Sequence, residues 1–177
     1  MNSSNPMIRL SLAAGAAVLI ALQPGCQSPR SAITAASFPA PGPGWSTSVG
    51  QLRYATPQRA VIGEAVVSRD RGHHFQLDFV AGPGVPLMSL RETETQARAE
   101  GLFARGSWSG NPTRAKRLAS WTSLREVFAA LDQAPSATSP EGQLPRWTAR
   151  SERAGTGRRI TVEYPKTDER FVFVFAR

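Results

Sequence analysis

Residues 158–176 read "RRITVEYPKTDERFVFVFA", and the fold is decided there. The first seven residues place Ile160, Val162 and Tyr164 on one side of an extended chain and Arg159, Thr161 and Glu163 on the other. That period of two is the mark of a strand with one dry face. "PKTDE" (165–169) is a turn too short for anything but a return, so the next strand runs antiparallel to the first. "RFVFVFA" (170–176) has Phe171, Phe173 and Phe175 on one face and Val172 and Val174 on the other. Apolar side chains on both sides predict a strand covered on both faces and packed centrally in its sheet.

Working outward from this hairpin, "RWTARSE" (146–152) precedes it across the short turn "RAGTG", giving a three-stranded meander. Upstream, "AVIGEAVVS" (60–68) is rich in β-branched residues and "HHFQLDFV" (73–80) follows the turn signal "RDRG". In the latter, Phe75, Leu77 and Phe79 alternate with His74, Gln76 and Asp78. "AGPGVP" (81–86) reads as a loop, because two prolines and two glycines interrupt a ladder. "LMSLRE" (87–92) and "TQARAEGLFARG" (95–106) read as a further hairpin. The period then changes. Asn111-Pro112 is a helix opening, and Leu118, Trp121, Leu124, Phe128 and Leu131 follow at spacings of three and four. Ser123 and Glu126 have capping-box spacing, which predicts two short helices broken near residues 121–123 within an insert spanning 111–132. "APSATSPEG" (134–142) reads as a loop. The expected core comprises Phe75, Leu77, Phe79, Leu118, Trp121, Leu124, Phe128, Ile160, Val162, Phe171 and Phe173.

The N-terminal part has a different composition. Arg9 precedes the uncharged run Leu10 to Leu22, and "ALQPGCQS" (21–28) holds the single cysteine of 177 residues. Thirteen residues of helix span about 20 Å, short of a bilayer core of about 30 Å. A basic start, a short apolar run and small residues before a processing point describe a secretory signal peptide over residues 1–25. The stretch resembles a bacterial lipoprotein signal, in which Cys26 becomes the acylated first residue of the mature chain. Gly25 and Cys26 fit that motif, while Leu22 stands one place early and Gln23 and Pro24 are irregular. Residues 26–50 are dominated by Pro, Gly, Ser and Ala with neither hydrophobic period, and read as a flexible linker. Residues 51–177 then make one domain with a single core.

The formal charge is +8, and residues 1–25 carry one base and no acid, leaving +7 on the mature chain. For an exported protein this balance points to anionic lipid headgroups or acidic envelope polymers rather than nucleic acid. Equally, it describes a solvated basic surface. No nucleotide-binding, P-loop or nucleophile-elbow motif occurs. His73 and His74, adjacent on a strand, point to opposite faces and do not share a metal. Glu92, Glu94 and Glu100 are the carboxylates nearest to an acid/base arrangement, and nothing in their spacing singles them out. No catalytic residue, metal or cofactor is expected. "RAKRLASW" (114–121) is basic and amphipathic, and reads either as a membrane-surface helix or as a helix packing Leu118 and Trp121 on the sheet.

Three stretches resemble the lipoprotein-carrier superfamily of LolA and the outer-membrane receptor LolB. They are "FQLDFVAGPGVPLMSL" (75–90), "LASWTSLREVFAALD" (118–132) and "RRITVEYPKTDERFVFVFA" (158–176). The resemblance implies a mainly β (α+β) fold, a curved antiparallel sheet or half-barrel with short helices packed on its concave face. It implies an apolar groove for lipoprotein acyl chains, here drawn from Phe75, Leu77, Phe79, Trp121, Phe128 and Phe173. It also implies a membrane-facing apolar residue after the Gly/Pro turn, Val85 or, with the loop shifted, Leu87. The setting it implies is the bacterial envelope, lipid-anchored, with Gln27 rather than Asp after the cysteine matching outer-membrane sorting in enteric lipoproteins. The alternative is a structural or interaction lipoprotein with a filled core, whose basic surface docks on envelope polymers or protein.

Overall fold

The computed structural model describes residues 38–71, 74–139 and 146–176. Cys26 and the whole signal segment lie outside them, as does His73. The described chain is mainly antiparallel sheet. Its strands are β1 (Ser46–Ala55), β2 (Ala60–Arg69), β3 (Phe75–Ala81), β4 (Val85–Glu92), β5 (Ala97–Gly101), β6 (Gly106–Gly110), β7 (Ser136–Thr138), β8 (Thr148–Ala154), β9 (Gly157–Tyr164) and β10 (Glu169–Phe175). Between β6 and β7 come two single 3₁₀ turns (Pro112–Arg114 and Lys116–Leu118) and the helices α1 (Ala119–Thr122) and α2 (Leu124–Gln133).

All ten strands form one open sheet in the order β6-β5-β4-β3-β2-β1-β10-β9-β8-β7. Every neighbouring pair is a sequential hairpin or meander except one, where β1 pairs with β10 (Leu52 opposite Phe173, Tyr54 opposite Phe171). The apolar last strand is thus central, as its composition predicts. Its second face differs from expectation: Val172 is only partly covered and Val174 is exposed, because the convex side of the sheet faces solvent.

The sheet is curved, with the helices on its concave face. Ten flat strands spaced by about 4.8 Å would place β6 and β7 roughly 43 Å apart. Curling is visible in single contacts. Phe103, in the β5–β6 turn, lies 5.0 Å from the ring of Tyr54 on β1, four strands away in the sheet. Trp121 in α1 touches rings from β1, β3, β10 and that turn at once (Tyr54, Phe79, Phe171 and Phe103, at 4.9, 6.3, 4.8 and 5.6 Å). The chain crosses the concave side here because it must pass from one sheet edge to the other. Leu118, Trp121, Leu124, Val127, Phe128 and Leu131 are all buried in doing so, and every residue of the expected core is buried.

Several boundaries differ from the sequence reading. β1 begins at Ser46, five residues inside the stretch read as linker; Ser, Thr and Gly conceal a strand whose partners β2 and β10 supply the ladder. "AGPGVP" is a turn of only three residues, with Val85 opposite Ala81 and Pro86 opposite Val80 beside a bulge that absorbs the irregularity. β4 and β5 make the expected hairpin, but residues 106–110 add a further strand pairing with β5, and Ser136–Thr138 is an edge strand rather than loop. Asn111 does cap the insert, its Oδ1 accepting from Thr113 N–H at 2.9 Å, but over a 3₁₀ turn. The helices break at Ser123 without a capping box. Ser123 Oγ turns instead to Tyr164 Oη at 2.8 Å and the Ser120 carbonyl at 3.1 Å, while Glu126 pairs with Arg146.

Candidate functional site: the lidded face and its rim

The concave face is built from alternate residues of successive strands, Leu52 and Tyr54, Ala65 and Val67, Phe75, Leu77 and Phe79, Met88 and Leu90, Ile160 and Val162, Phe171, Phe173 and Phe175. Phe75, Leu77, Phe79, Trp121, Phe128 and Phe173, read as groove residues, are brought together in this one cluster, between 0 and 3% exposed. Phe128 sits 5.6 Å from Phe75 and 5.3 Å from Phe173, so the lid's own side chains occupy the space against the strands.

Polar contacts surround this apolar contact. Arg69 of β2 donates to the Phe128 carbonyl (3.1 Å), forks onto Asp132 (Nη2 to Oδ1, 2.8 Å) and lies over the Phe128 ring. Arg125 of α2 faces Glu92 of β4 at 3.5 Å, and Glu126 pairs with Arg146. Tyr164 donates to the Ser120 carbonyl at 2.6 Å, pinning the helix break to β9. Magnitudes decide what holds the lid. The partly exposed pairs Arg69–Asp132 and Arg146–Glu126 contribute about 0–1 kcal/mol each, whereas burying Leu124, Val127, Phe128 and Leu131 at about 1.5–3 kcal/mol apiece amounts to roughly 6–12 kcal/mol. Apolar burial closes the lid, and the ion pairs set its position.

Of Glu92, Glu94 and Glu100, Glu92 stands in an unusual place. It is 2% exposed, its Oε2 has no hydrogen-bond partner, and burial pushes its pKa up to about 8 against the opposing pull of Arg125. Glu100 pairs with Arg98 at 2.5 Å, so the two carboxylates have separate partners. His74 places Nδ1 2.7 Å from Asp70 Oδ2 and stacks on Trp45, a local tie at the start of β3. Burial also raises the hydroxyl pKa of Tyr54 and of Tyr164 well above the ordinary tyrosine value.

The rim is read from the register. Ala55 opposes Ala60, Ala81 opposes Val85, Gly101 opposes Gly106 and Tyr164 opposes Glu169, so the turns after β1, β3, β5 and β9 share one end of the sheet. Val85 stands there 50% exposed. Leu87 does not. The bulge between Phe79 and Val80 turns Leu87 inward beside Met88, and both are buried. Phe103, missed in the sequence reading, folds over the same end, held by its N–H on the Leu87 carbonyl (3.0 Å) and covered by Arg59 at 5.2 Å. Its position in "EGLFARG" carries no periodic signal, since it belongs to a turn. Lys116 and Arg117 of the basic stretch are exposed while Leu118 and Trp121 are buried, which is the sheet-packing reading of "RAKRLASW". Among the described residues no cluster of three or more His, Cys, Asp or Glu side chains could hold a metal ion, and no helix is long and apolar enough to cross a membrane.

No family model matches this chain, and no curated protein does either.

Proposed function

We propose that this chain is a membrane-anchored envelope lipoprotein of LolB-like fold, attached through Cys26 and sheltering acyl chains of lipoproteins between its curved sheet and its helical lid. The observation that carries this reading is the placement of α1 and α2. A single insert between the two edge strands lies across the concave, aromatic-lined face, breaks at Ser123, and is bounded by polar contacts to β2, β4 and β9. An element so arranged lifts as a unit. Exposing its six buried apolar side chains costs roughly 9–18 kcal/mol, and an acyl chain returns about 0.8 kcal/mol per buried CH₂, so about eleven to twenty-two methylenes offset the opening. That range selects fatty-acyl chains over short apolar ligands. Val85, at the rim, faces the membrane during delivery.

A fluorescent acyl probe tests this on the chain lacking residues 1–26. Saturable binding that strengthens with acyl length over this range is expected, and Val85→Glu should keep fold and probe binding yet fail to pass lipoprotein to vesicles. A folded protein without saturable binding would reject the carrier. A second reading, an interaction lipoprotein with a filled core and a basic docking surface, is favoured by the near-complete burial of Phe75, Leu77, Phe79, Trp121, Phe128 and Phe173. The same null result selects it.

A further inference from the structure

We infer that the pocket between the β1–β2 turn, the β9–β10 turn and the 116–120 segment binds the phosphate of an anionic phospholipid headgroup, with Lys116, Arg117 and Lys166 as its cations. The pocket has a volume of about 400 Å³, large enough for a headgroup phosphate with part of its glycerol. Four bases line it, and Arg146 among them is taken up by Glu126. Lys116, Arg117 and Lys166 are exposed and make no ion pair with another described residue. Glu169 is the one carboxylate in the lining, and it is engaged, accepting from Tyr54 Oη at 2.5 Å and from Thr167 Oγ1 at 2.9 Å. Lys116 and Arg117 come from the 116–120 segment and Lys166 from the β9–β10 turn, and their three charges outweigh the single charge of Glu169, forming a site for an anion with several acceptor oxygens.

Position selects the lipid over a free ion. The pocket is lined by the turns after β1 and β9, and Val85 and Leu102, exposed by 50 and 60%, stand at the turns after β3 and β5 of that same end, with Ile62, 61% exposed, two residues into β2. Aliphatic side chains at turn tips beside a cationic cleft match a surface of phosphates underlain by hydrocarbon. Acyl binding under the lid is not required for this inference, so the two readings fail separately.

The test compares binding of the full chain to vesicles of pure phosphatidylcholine and of phosphatidylcholine mixed equally with phosphatidylglycerol. The ratio of the two affinities isolates the charge-dependent part from any attachment by the N-terminal segment. Lys116→Gln/Arg117→Gln/Lys166→Gln should lower that ratio by at least about tenfold, each base near an anionic surface being worth about a factor of five to ten. A control removing as many bases elsewhere, Arg53→Gln/Arg150→Gln/Arg153→Gln, should lower it less than about threefold. All the substituted side chains are exposed, and unchanged circular dichroism and melting temperature confirm the fold. Equal loss in both variants overturns the pocket in favour of diffuse attraction. Saturable binding of inorganic phosphate with no gain on phosphatidylglycerol overturns the lipid as its source.

Discussion

Glu92 shows how one residue acts through its surroundings. Its carboxyl lies under α2 with Arg125 at 3.5 Å, and desolvation outweighs that attraction, so its pKa rises from 4.5 to about 8. Between these values the folded chain keeps a proton that the unfolded chain has released, and stability falls as pH rises across the interval. Glu92→Gln keeps the shape and removes the titration. Its melting temperature should exceed that of the native chain at pH 8, match it more closely near pH 4.5, and show a flatter pH dependence between; a variant less stable at pH 8 would contradict this assignment. Nothing in "LMSLRE" distinguishes this glutamate from a solvated one, because its burial is created by a helix thirty residues further along the chain.

At the scale of elements, the curl of the sheet depends on close approach as well as on the lid. Gly63 of β2 faces Leu52, and a Cβ there would stand 2.2 Å from the Val80 carbonyl oxygen and 2.8 Å from the Phe79 ring. Gly63→Val should therefore destabilise by about 2 kcal/mol or more in denaturant unfolding, well beyond the small effect of the same change on an open strand. The lid is positioned differently. Arg69→Leu removes the fork onto Asp132 and the bond to the Phe128 carbonyl while retaining apolar cover over that ring. Hydrogen exchange in α2 should speed up by about tenfold with little change in the strands, since the variant loosens a local opening rather than the global fold. The period of three and four in residues 118–131 revealed which side of the insert is buried. It did not reveal that Ser123 bonds Tyr164 rather than capping α2, a choice made by the hydroxyl of a strand that no local spacing brings near.

For the described part of the molecule, the order of strands brings the first and the last strand together inside the sheet. β10 joins β1 to β9, so without it the sheet divides into a six-stranded part and a three-stranded part. A chain ending after Tyr164 exposes Leu52, Tyr54, Ile160 and Val162 along a cut through the core and should show no cooperative unfolding transition by circular dichroism. By itself the sequence determined the strands of residues 60–92 and 146–176, the helical insert, the buried faces of residues 75–79, 118–131 and 160–164, and the central place of the last strand. Those features rest on periods of two and 3.6 and on short turns, which are local. Only the tertiary structure decided that Ser46 begins a strand, that Leu87 turns inward while Val85 stays at the rim, that Phe103 closes over Tyr54, and that Lys116, Arg117 and Lys166 face one pocket. Each depends on backbone or side chains distant in sequence: a ladder supplied by β2 and β10, a bulge set by pairing with β3, a curvature accumulated over four strands, and two turns meeting the helical insert.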